Sequence, residues 1–129
     1  FSSEEPEVII YMDRTQLIRI ITNLVKNAIQ AMPEDHPNPQ VIVRVYREGD
    51  KAKICVKDNG KGVSEENKSR IFEPKFTTKT SGMGLGLAII KNIVENYNGM
   101  ITFESEQGEG TVFIVEFPLA ENNNNQQTT

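Results

Sequence analysis

The spacing of apolar positions changes several times along this chain and divides it into helices and short strands. Between residues 17 and 31 they recur three or four positions apart, as on one helix face. A second helix is predicted from Leu87 to about Gly99, and a short one over residues 65–72. Apolar segments with strand character predict five strands, at residues 8–11, 40–46, 52–57, 101–106 and 111–117.

These elements predict an α+β two-layer sandwich. Turn residues at 48–50 and 108–110 make a hairpin of each neighbouring strand pair. Because the helices must bury their apolar faces, we expect a mixed, mostly antiparallel five-stranded sheet covered on one face by about three helices. Asp13 is the predicted N-cap of the first helix, and Pro33 follows its end.

Composition narrows the class of protein. The chain has 129 residues, of which 37% are hydrophobic and 25% charged, as in one soluble globular domain. The net charge of −4 argues against a nucleic-acid partner. The single cysteine, Cys55, excludes a disulfide within the chain, fits a reducing cytoplasm, and is predicted to be a core thiol.

The two ends of the chain differ in character from its middle. The first residue is Phe1 rather than methionine, so we expect a part of a longer protein. Residues 1–120 are predicted to form one domain. Residues 121–129 are polar and low in complexity, and we expect them to be a disordered tail.

A glycine run is the strongest chemical signal. Gly82, Gly84 and Gly86 alternate with apolar residues directly before the second long helix. Glycines allow backbone N–H groups to converge on an anion, and a helix N-terminus adds positive charge, so the run predicts a phosphate cradle. Its spacing fits neither a P-loop nor the dinucleotide fingerprint. The alternative is a flexible linker.

Two asparagines share one face of the first helix. Asn23 and Asn27 are four residues apart at the edge of the apolar stripe. An amide oxygen there can bind Mg²⁺, which also takes oxygens from water and phosphate. The alternative is a pair of amides hydrogen-bonded to nearby backbone, which is the better interpretation of the asparagines taken alone.

An acidic turn follows the third predicted strand. Asp58 precedes Gly60 and Gly62 and can accept a hydrogen bond from an exocyclic amine such as that of adenine. A plain Asx turn is the alternative and is favoured for this motif alone. Thr111 opens the last strand, where it either favours the strand or donates its hydroxyl near the Asp58 carboxylate.

A segment without clear periodicity precedes the glycine run. Residues 73–82 are polar and basic, and a stretch of this length in a compact domain is often a lid. Thr78 or Lys79 would then meet a terminal phosphate. The alternative is a solvated loop that Phe72 anchors to the core.

Four motifs together resemble the N, G1, F and G2 boxes of the catalytic ATP-binding domain of sensor histidine kinases, which has the Bergerat fold. They are Asn-Leu-Val-Lys-Asn-Ala at 23–28, Asp-Asn-Gly-Lys-Gly at 58–62, Ile-Phe-Glu-Pro at 71–74 and Gly-Met-Gly-Leu-Gly-Leu at 82–87. Their order and spacing match as well, and the resemblance covers residues 8–119. The nitrogen-regulation type of sensor kinase is the most similar subgroup.

The resemblance implies roles for individual residues. Asn27 would hold Mg²⁺ with support from Asn23, Asp58 would bind the adenine amine with Thr111 nearby, and the glycines of the second and fourth motifs would approach the nucleotide. Gln30 stands where many members carry a lysine, and Lys79 would replace that cation. The implied ATP-binding set is Asn23, Asn27, Gln30, Asp58, Gly60, Gly62, Phe72, Thr78, Lys79, Gly82, Met83, Gly84, Leu85, Gly86, Leu87 and Thr111.

The resemblance also implies a reaction and its partners. A protein-histidine kinase of this kind binds ATP and Mg²⁺ and transfers the γ-phosphate to a histidine on its own dimerisation and phosphotransfer domain. A response regulator receives the phosphate afterwards. The only histidine here, His36, lies in a proline-rich loop and is predicted to be a surface residue, so the chain contains no catalytic acceptor. Little activity is expected of it in isolation.

The resemblance extends to assembly and location. We expect this chain to be a monomer, the full-length protein to be a homodimer, and the domain to be the cytoplasmic part of a membrane-anchored sensor. Three alternatives stay open: an ATPase of the gyrase, Hsp90 and mismatch-repair type, an anti-sigma serine kinase, and a nucleotide-sensing module without chemistry. The ATPases carry a glutamate four residues before the magnesium asparagine, where this chain has Asn23.

Overall fold

The computed structural model describes residues 12–73 and 83–119, with the backbone alone at 83–85. The elements run in the order helix, two strands, two helices, two strands. They are α1 (Arg14–Gln30), β1 (Val41–Glu48), β2 (Lys51–Asp58), α2 (Glu65–Lys68), α3 (Met83–Asn96), β3 (Met100–Glu106) and β4 (Gly110–Pro118).

The sheet is built from two hairpins side by side. Its order is β1-β2-β4-β3, and β4 pairs with β2 across the middle. Both predicted hairpins are confirmed. The described residues form four strands of this sheet, all paired antiparallel, and the fifth strand and any parallel pairing stay predictions. The strand predicted at 8–11 lies outside the described residues, as does the predicted tail at 121–129.

The core lies between one face of this sheet and helices α1 and α3. Alternate residues of β2 and β4 point into it, while α1 and α3 each contribute an apolar stripe. Full burial of an aliphatic side chain contributes about 1.5–3 kcal/mol. The two-layer α+β sandwich is thereby confirmed. The fully buried side chains include Ile20, Leu24, Ile54, Val56, Ile90, Val94, Val115 and Phe117.

Cys55 does not lie in this core, contrary to the prediction. It alternates with the buried residues Ile54 and Val56 of β2, so its side chain is on the opposite face of the sheet, where it is half-buried. Partial burial raises the pKa of the Cys55 thiol. A raised pKa lowers the fraction of the nucleophilic thiolate form, which is consistent with the expectation that Cys55 is not a nucleophile.

Two helix boundaries differ from the predicted ones. The short helix predicted over 65–72 is confined to Glu65–Lys68. The helix predicted from Leu87 begins already at Met83, so the second half of the glycine run forms its first turn instead of a loop before it. The tertiary contacts of Leu87, Ile90 and Val94 in the core outweigh the low helix propensity of glycine there. None of the helices in the described ranges is long and apolar enough to cross a membrane.

The N-terminus of α1 is capped as the sequence predicts. The Asp13 carboxylate accepts a hydrogen bond from the Thr15 backbone N–H at 2.9 Å. The Asp13 N–H donates to the Tyr97 hydroxyl, at 3.3 Å, just beyond the end of α3. The cap therefore fixes both the start of α1 and its position against α3.

Removing the cap is expected to destabilise the fold modestly. Asp13→Ala should lower the free energy of unfolding by about 1 kcal/mol, the usual cost of a lost N-cap acceptor. Denaturant unfolding followed by circular dichroism measures this change. Asp13→Asn is the control and should be near neutral, because asparagine caps about as well. Equal stability of the alanine variant and the native chain would contradict the assigned cap.

Candidate functional site

The polar half of α1 faces the first turn of α3. Asn23 is half-buried, and its side-chain nitrogen donates to the Arg19 carbonyl at 2.8 Å. This bond directs the Asn23 Oδ1 atom away from its own helix. The oxygen lies only 3.4 Å from where a Cβ atom would stand at Gly86. Asn23 of the first motif and Gly86 of the fourth, 63 residues apart in sequence, therefore lie next to each other.

Asn27 lies one helical turn beyond Asn23 on the same face of α1 and is also half-buried. Its backbone carbonyl accepts the N–H of Ala31 at 3.0 Å at the helix end. Gln30 is exposed at the last position of α1. Asn23 is thus placed beside the first turn of α3, while Asn27 and Gln30 follow it along α1 toward the end of that helix.

Asp58 ends β2 at the centre of the sheet. Its side chain is on the helix-covered face with only 6% of the residue exposed. The carboxylate Oδ1 accepts the Gly60 backbone N–H at 2.8 Å, which is the Asx turn that the sequence suggested. In the sheet register Asp58 stands directly opposite Thr111 of β4, which is equally buried. The structure therefore brings these two candidate residues together.

Gly60 and Gly62 have a role that the sequence did not predict. A Cβ at Gly60 would overlap the backbone of Ala31 at the end of α1, where the Lys61 N–H donates to the Ala31 carbonyl at 3.0 Å. A Cβ at Gly62, whose φ is 73°, would overlap the Glu106 carbonyl in the β3–β4 hairpin. Both glycines let the loop over residues 59–63 dock between these two parts of the protein.

A histidine and asparagine brace the same loop. The Asn38 N–H donates to His36 Nδ1 at 3.0 Å, so the ring proton is on Nε2, which donates to the Asn59 carbonyl at 2.7 Å. The Asn59 side chain accepts the Gln40 N–H at 2.8 Å and donates to the Asn38 carbonyl at 2.9 Å. His36 was predicted to be a surface residue, but it is half-buried. Both of its ring nitrogens form hydrogen bonds with backbone groups.

Ser105 joins the loop to the β3–β4 hairpin, and sequence reasoning missed it. Its hydroxyl accepts the Val63 N–H at 2.8 Å, donates to the Gly110 carbonyl at 2.9 Å, and lies 2.9 Å from the Thr111 hydroxyl. One signal was available, because strand alternation from Ile101 places a serine on the buried face at position 105. A buried hydroxyl requires hydrogen-bond partners.

Phe72 is partly buried and packs against the core beside this region. Its ring makes edge contacts with Phe103 at a centroid distance of 5.9 Å and with Phe113 at 6.5 Å. These contacts match the alternative in which Phe72 anchors the adjoining loop. Leu87 is a core residue.

The rest of the predicted set is described in part or not at all. Thr78, Lys79 and Gly82 lie outside the described residues. Met83, Gly84 and Leu85 form the first turn of α3, where backbone N–H groups have no partner within the helix. Together with the helix dipole, these donors favour an anion at this end of α3, beside Asn23.

Gly86→Ala is expected to separate fold stability from ligand binding. Alanine in a helix is more stable than glycine by about 0.5–1 kcal/mol, and the Cβ would only touch Asn23 Oδ1. The midpoint of thermal unfolding should rise. Nucleotide affinity, measured by titration calorimetry, should fall by roughly tenfold, because the methyl group projects between α1 and the α3 first turn. Unchanged affinity would contradict a ligand site there.

Comparison with known proteins agrees with this arrangement. The family model described as histidine kinase-, DNA gyrase B-, and HSP90-like ATPase matches residues 12–121. Sporulation kinase E of Bacillus subtilis (strain 168) is 41% identical over 113 residues, which are 88% of this chain and 15% of that protein. The curated relatives are thus much longer, and the chain spans between 15% and 26% of eight such relatives.

Solved structures give the same result for the fold. The catalytic domain of histidine kinase ThkA, in a nucleotide-free form, matches with a TM-score of 0.77 and 37% identity over 90% of this chain and 74% of that one. Full-length ShkA in complex with AMPPNP matches with a TM-score of 0.77 and 28% identity, over 95% of this chain and 25% of that one.

Proposed function

Because the chain belongs to the histidine kinase-, DNA gyrase B- and HSP90-like ATPase family, we propose that it binds Mg-ATP and donates the γ-phosphate to a histidine on a separate acceptor domain. One observation carries the proposal: Asn23 on α1 meets Gly86 in the first turn of α3, beside an end of that helix that favours anions.

The adenine end of the nucleotide is assigned to Asp58. Its buried carboxylate accepts the Gly60 N–H through Oδ1, and a carboxylate is the kind of acceptor that a 6-amino group requires. Thr111 is the nearest polar neighbour across the sheet. The full-length ShkA structure was determined with AMPPNP, an ATP analogue, which supports the same class of ligand here.

The phosphate end is assigned to the α3 N-terminus and the two asparagines. On α1 the candidate metal ligands are neutral amide oxygens. Such oxygens suit a hard cation such as Mg²⁺, which binds together with the triphosphate and keeps phosphate and water oxygens as its other ligands. Asn27 would hold Mg²⁺, with Asn23 next to it. When bound, Mg²⁺ neutralises charge on the phosphates. The proposed set of phosphate-binding residues is completed by Thr78, Lys79, Gly82 and the residues of the α3 first turn.

Transfer to a protein is favoured over hydrolysis of ATP. The ATPase alternative needs a carboxylate at position 23 to activate water. The amide that stands there cannot accept a proton at neutral pH, and its nitrogen is bonded to the Arg19 carbonyl. The chain itself positions the nucleotide and its terminal phosphate, while the nucleophile comes from elsewhere.

The acceptor is proposed to be a histidine of the protein's own dimerisation and phosphotransfer domain. His36 is the only histidine of this chain, and its ring nitrogens are held by Asn38 and Asn59. A response regulator would take the phosphate in a second step. We further propose that residues 1–120 form the catalytic domain, that this chain is a monomer, and that the complete protein is a homodimeric sensor with this domain in the cytoplasm.

Two measurements test the proposal. Titration calorimetry with AMPPNP and Mg²⁺ should give binding to one site. Incubation of the chain with its upstream acceptor domain and labelled ATP should give phosphate on that domain that is labile to acid and stable to base, as expected for phosphohistidine. Binding without transfer would favour the nucleotide-sensing alternative, acid-stable phosphate would favour a serine kinase, and absence of binding would refute the proposal.

Asn27→Ala is expected to raise the Mg²⁺ concentration needed for half-maximal nucleotide binding by about tenfold, because it removes one metal ligand. Titration of Mg²⁺ at fixed AMPPNP measures this shift. Thr22→Ala, at an exposed position of the same helix, is the control and should leave the midpoint unchanged. If Asn27→Ala and Thr22→Ala required the same Mg²⁺ concentration for half-maximal binding, Asn27 would not be a metal ligand.

A further inference from the structure

The peptide bond between Asn59 and Gly60 is held at both of its polar groups. Its carbonyl, on Asn59, accepts the Nε2–H of His36 at 2.7 Å. Its N–H, on Gly60, donates to Asp58 Oδ1 at 2.8 Å. Because a peptide unit is planar, a bond that fixes the direction of the carbonyl also fixes the direction of the N–H. The orientation of the Gly60 N–H therefore depends on His36.

The turn that His36 itself forms determines which ring nitrogen carries the proton. The Asn38 N–H can only donate, and it points at Nδ1 from 3.0 Å, so the proton of the neutral ring is on Nε2. The turn over residues 36–38 thus resembles an Asx turn in which a ring nitrogen replaces the side-chain oxygen. One nitrogen holds the ring on its own loop and the other bonds to the Asn59 carbonyl, so the ring links the two loops.

These bonds form one continuous chain that ends at the proposed base site. It runs from the Asn38 N–H through the His36 ring and the 59–60 peptide to the Asp58 carboxylate. Each member that accepts a hydrogen bond becomes a better donor to the next, so the bonds strengthen one another. The last bond, from Gly60 to Asp58, is buried, where such polarisation is largest.

We propose that His36 is a positioning residue for the Asp58 carboxylate: by holding the 59–60 peptide, it directs the Gly60 N–H at Oδ1 and so helps to set the orientation in which the carboxylate meets the base. The proposal rests on the proposed adenine site at Asp58. His36 acts here through the peptide and needs no contact with the nucleotide. Its place in the proline-rich loop then has a function in ATP binding, although the loop belongs to none of the four motifs.

Two substitutions of His36 separate its two hydrogen bonds. Glutamine carries its side-chain nitrogen the same number of bonds from Cα as Nε2, so His36→Gln keeps a donor for the Asn59 carbonyl and loses the acceptor for Asn38. Asparagine carries its oxygen the same number of bonds from Cα as Nδ1, so His36→Asn keeps the turn with Asn38 and loses the donor to Asn59. Each variant lacks one bond, and their stabilities should be similar.

The experiment measures ATP affinity by titration calorimetry with Mg²⁺, and thermal unfolding without nucleotide. His36→Gln should retain most of the native affinity. His36→Asn should bind ATP about threefold to tenfold more weakly, which corresponds to the net contribution of one hydrogen bond. Equal ATP affinities of the two variants, or affinities that follow their unfolding midpoints, would show a merely structural role and would overturn the proposal.

Asp58→Ala provides the second arm. This variant lacks the carboxylate through which His36 is proposed to act, so adding His36→Asn to it should leave its residual ATP affinity unchanged. A further loss of threefold to tenfold in the double variant would show that His36 acts by another route and would overturn the proposal. A native chain that does not bind ATP would instead refute the proposed function.

Discussion

Asp58→Asn is expected to weaken ATP binding by about 10- to 100-fold while the fold persists. A hydrogen bond to a charged acceptor contributes about 1.5–3 kcal/mol, which corresponds to this range. The asparagine oxygen can still accept the Gly60 N–H that Asp58 now accepts at 2.8 Å. The side-chain NH₂ group then faces the ligand amine, so a donor meets a donor.

Two measurements separate the binding defect from a folding defect. Titration calorimetry with ATP gives the affinity, and thermal unfolding in the absence of nucleotide gives the stability, which should change little. Asp58→Ala is the comparison, because it also removes the Gly60 acceptor and should lose stability as well as affinity. Unaltered ATP affinity in Asp58→Asn would show that this carboxylate does not recognise the base.

Much of the fold could be predicted from the sequence, because local pattern and tertiary structure agree over most of the described chain. Helix α1 has an apolar stripe that ends up buried, with Asp13 at its start. The hairpin turns around Gly49 and Gly108 have the backbone conformation, at φ of 63° and 88°, that favours glycine. The strand order was not predictable, since the pairing of β2 with β4 depends on a long connection.

The start of α3 shows where local signals fail. Glycine has a low helix propensity, so the sequence placed the helix start at Leu87. Packing of the helix on α1 and the sheet extends it back to Met83. Single-residue propensities do not contain this tertiary contribution. The functional consequence is that the proposed phosphate donors belong to a helix turn rather than to a loop.

The members of the candidate site could be named from sequence motifs, but their partners could not. Asp58, Thr111, Asn23 and Gly86 each belong to a short pattern, and the fold brings them together in two pairs. Ser105 carries no motif of its own. Its importance depends on contacts across 42 residues to Val63, which a sequence pattern does not reveal.

Gly62→Ala is expected to be among the most destabilising single substitutions in the chain, at about 3–5 kcal/mol. Two effects add. A side chain at a φ of 73° costs about 1–2 kcal/mol of backbone strain. The new Cβ would also overlap the Glu106 carbonyl, which forces the loop over residues 59–63 away from the β3–β4 hairpin. Because Asp58 and Ser105 both bond to this loop, ATP binding should be lost with it.

Gly49→Ala is the matched control for this effect. Gly49 has a similar φ of 63°, but a Cβ there would meet nothing within 4 Å. Its substitution should cost only the strain, about 1–2 kcal/mol, and should leave ATP affinity unchanged. Urea unfolding of both variants gives the difference, which is the contribution of close docking between loop and hairpin. If the two variants lost equal stability, the contact of Gly62 with Glu106 would contribute nothing, and the loop would not depend on the hairpin for its position.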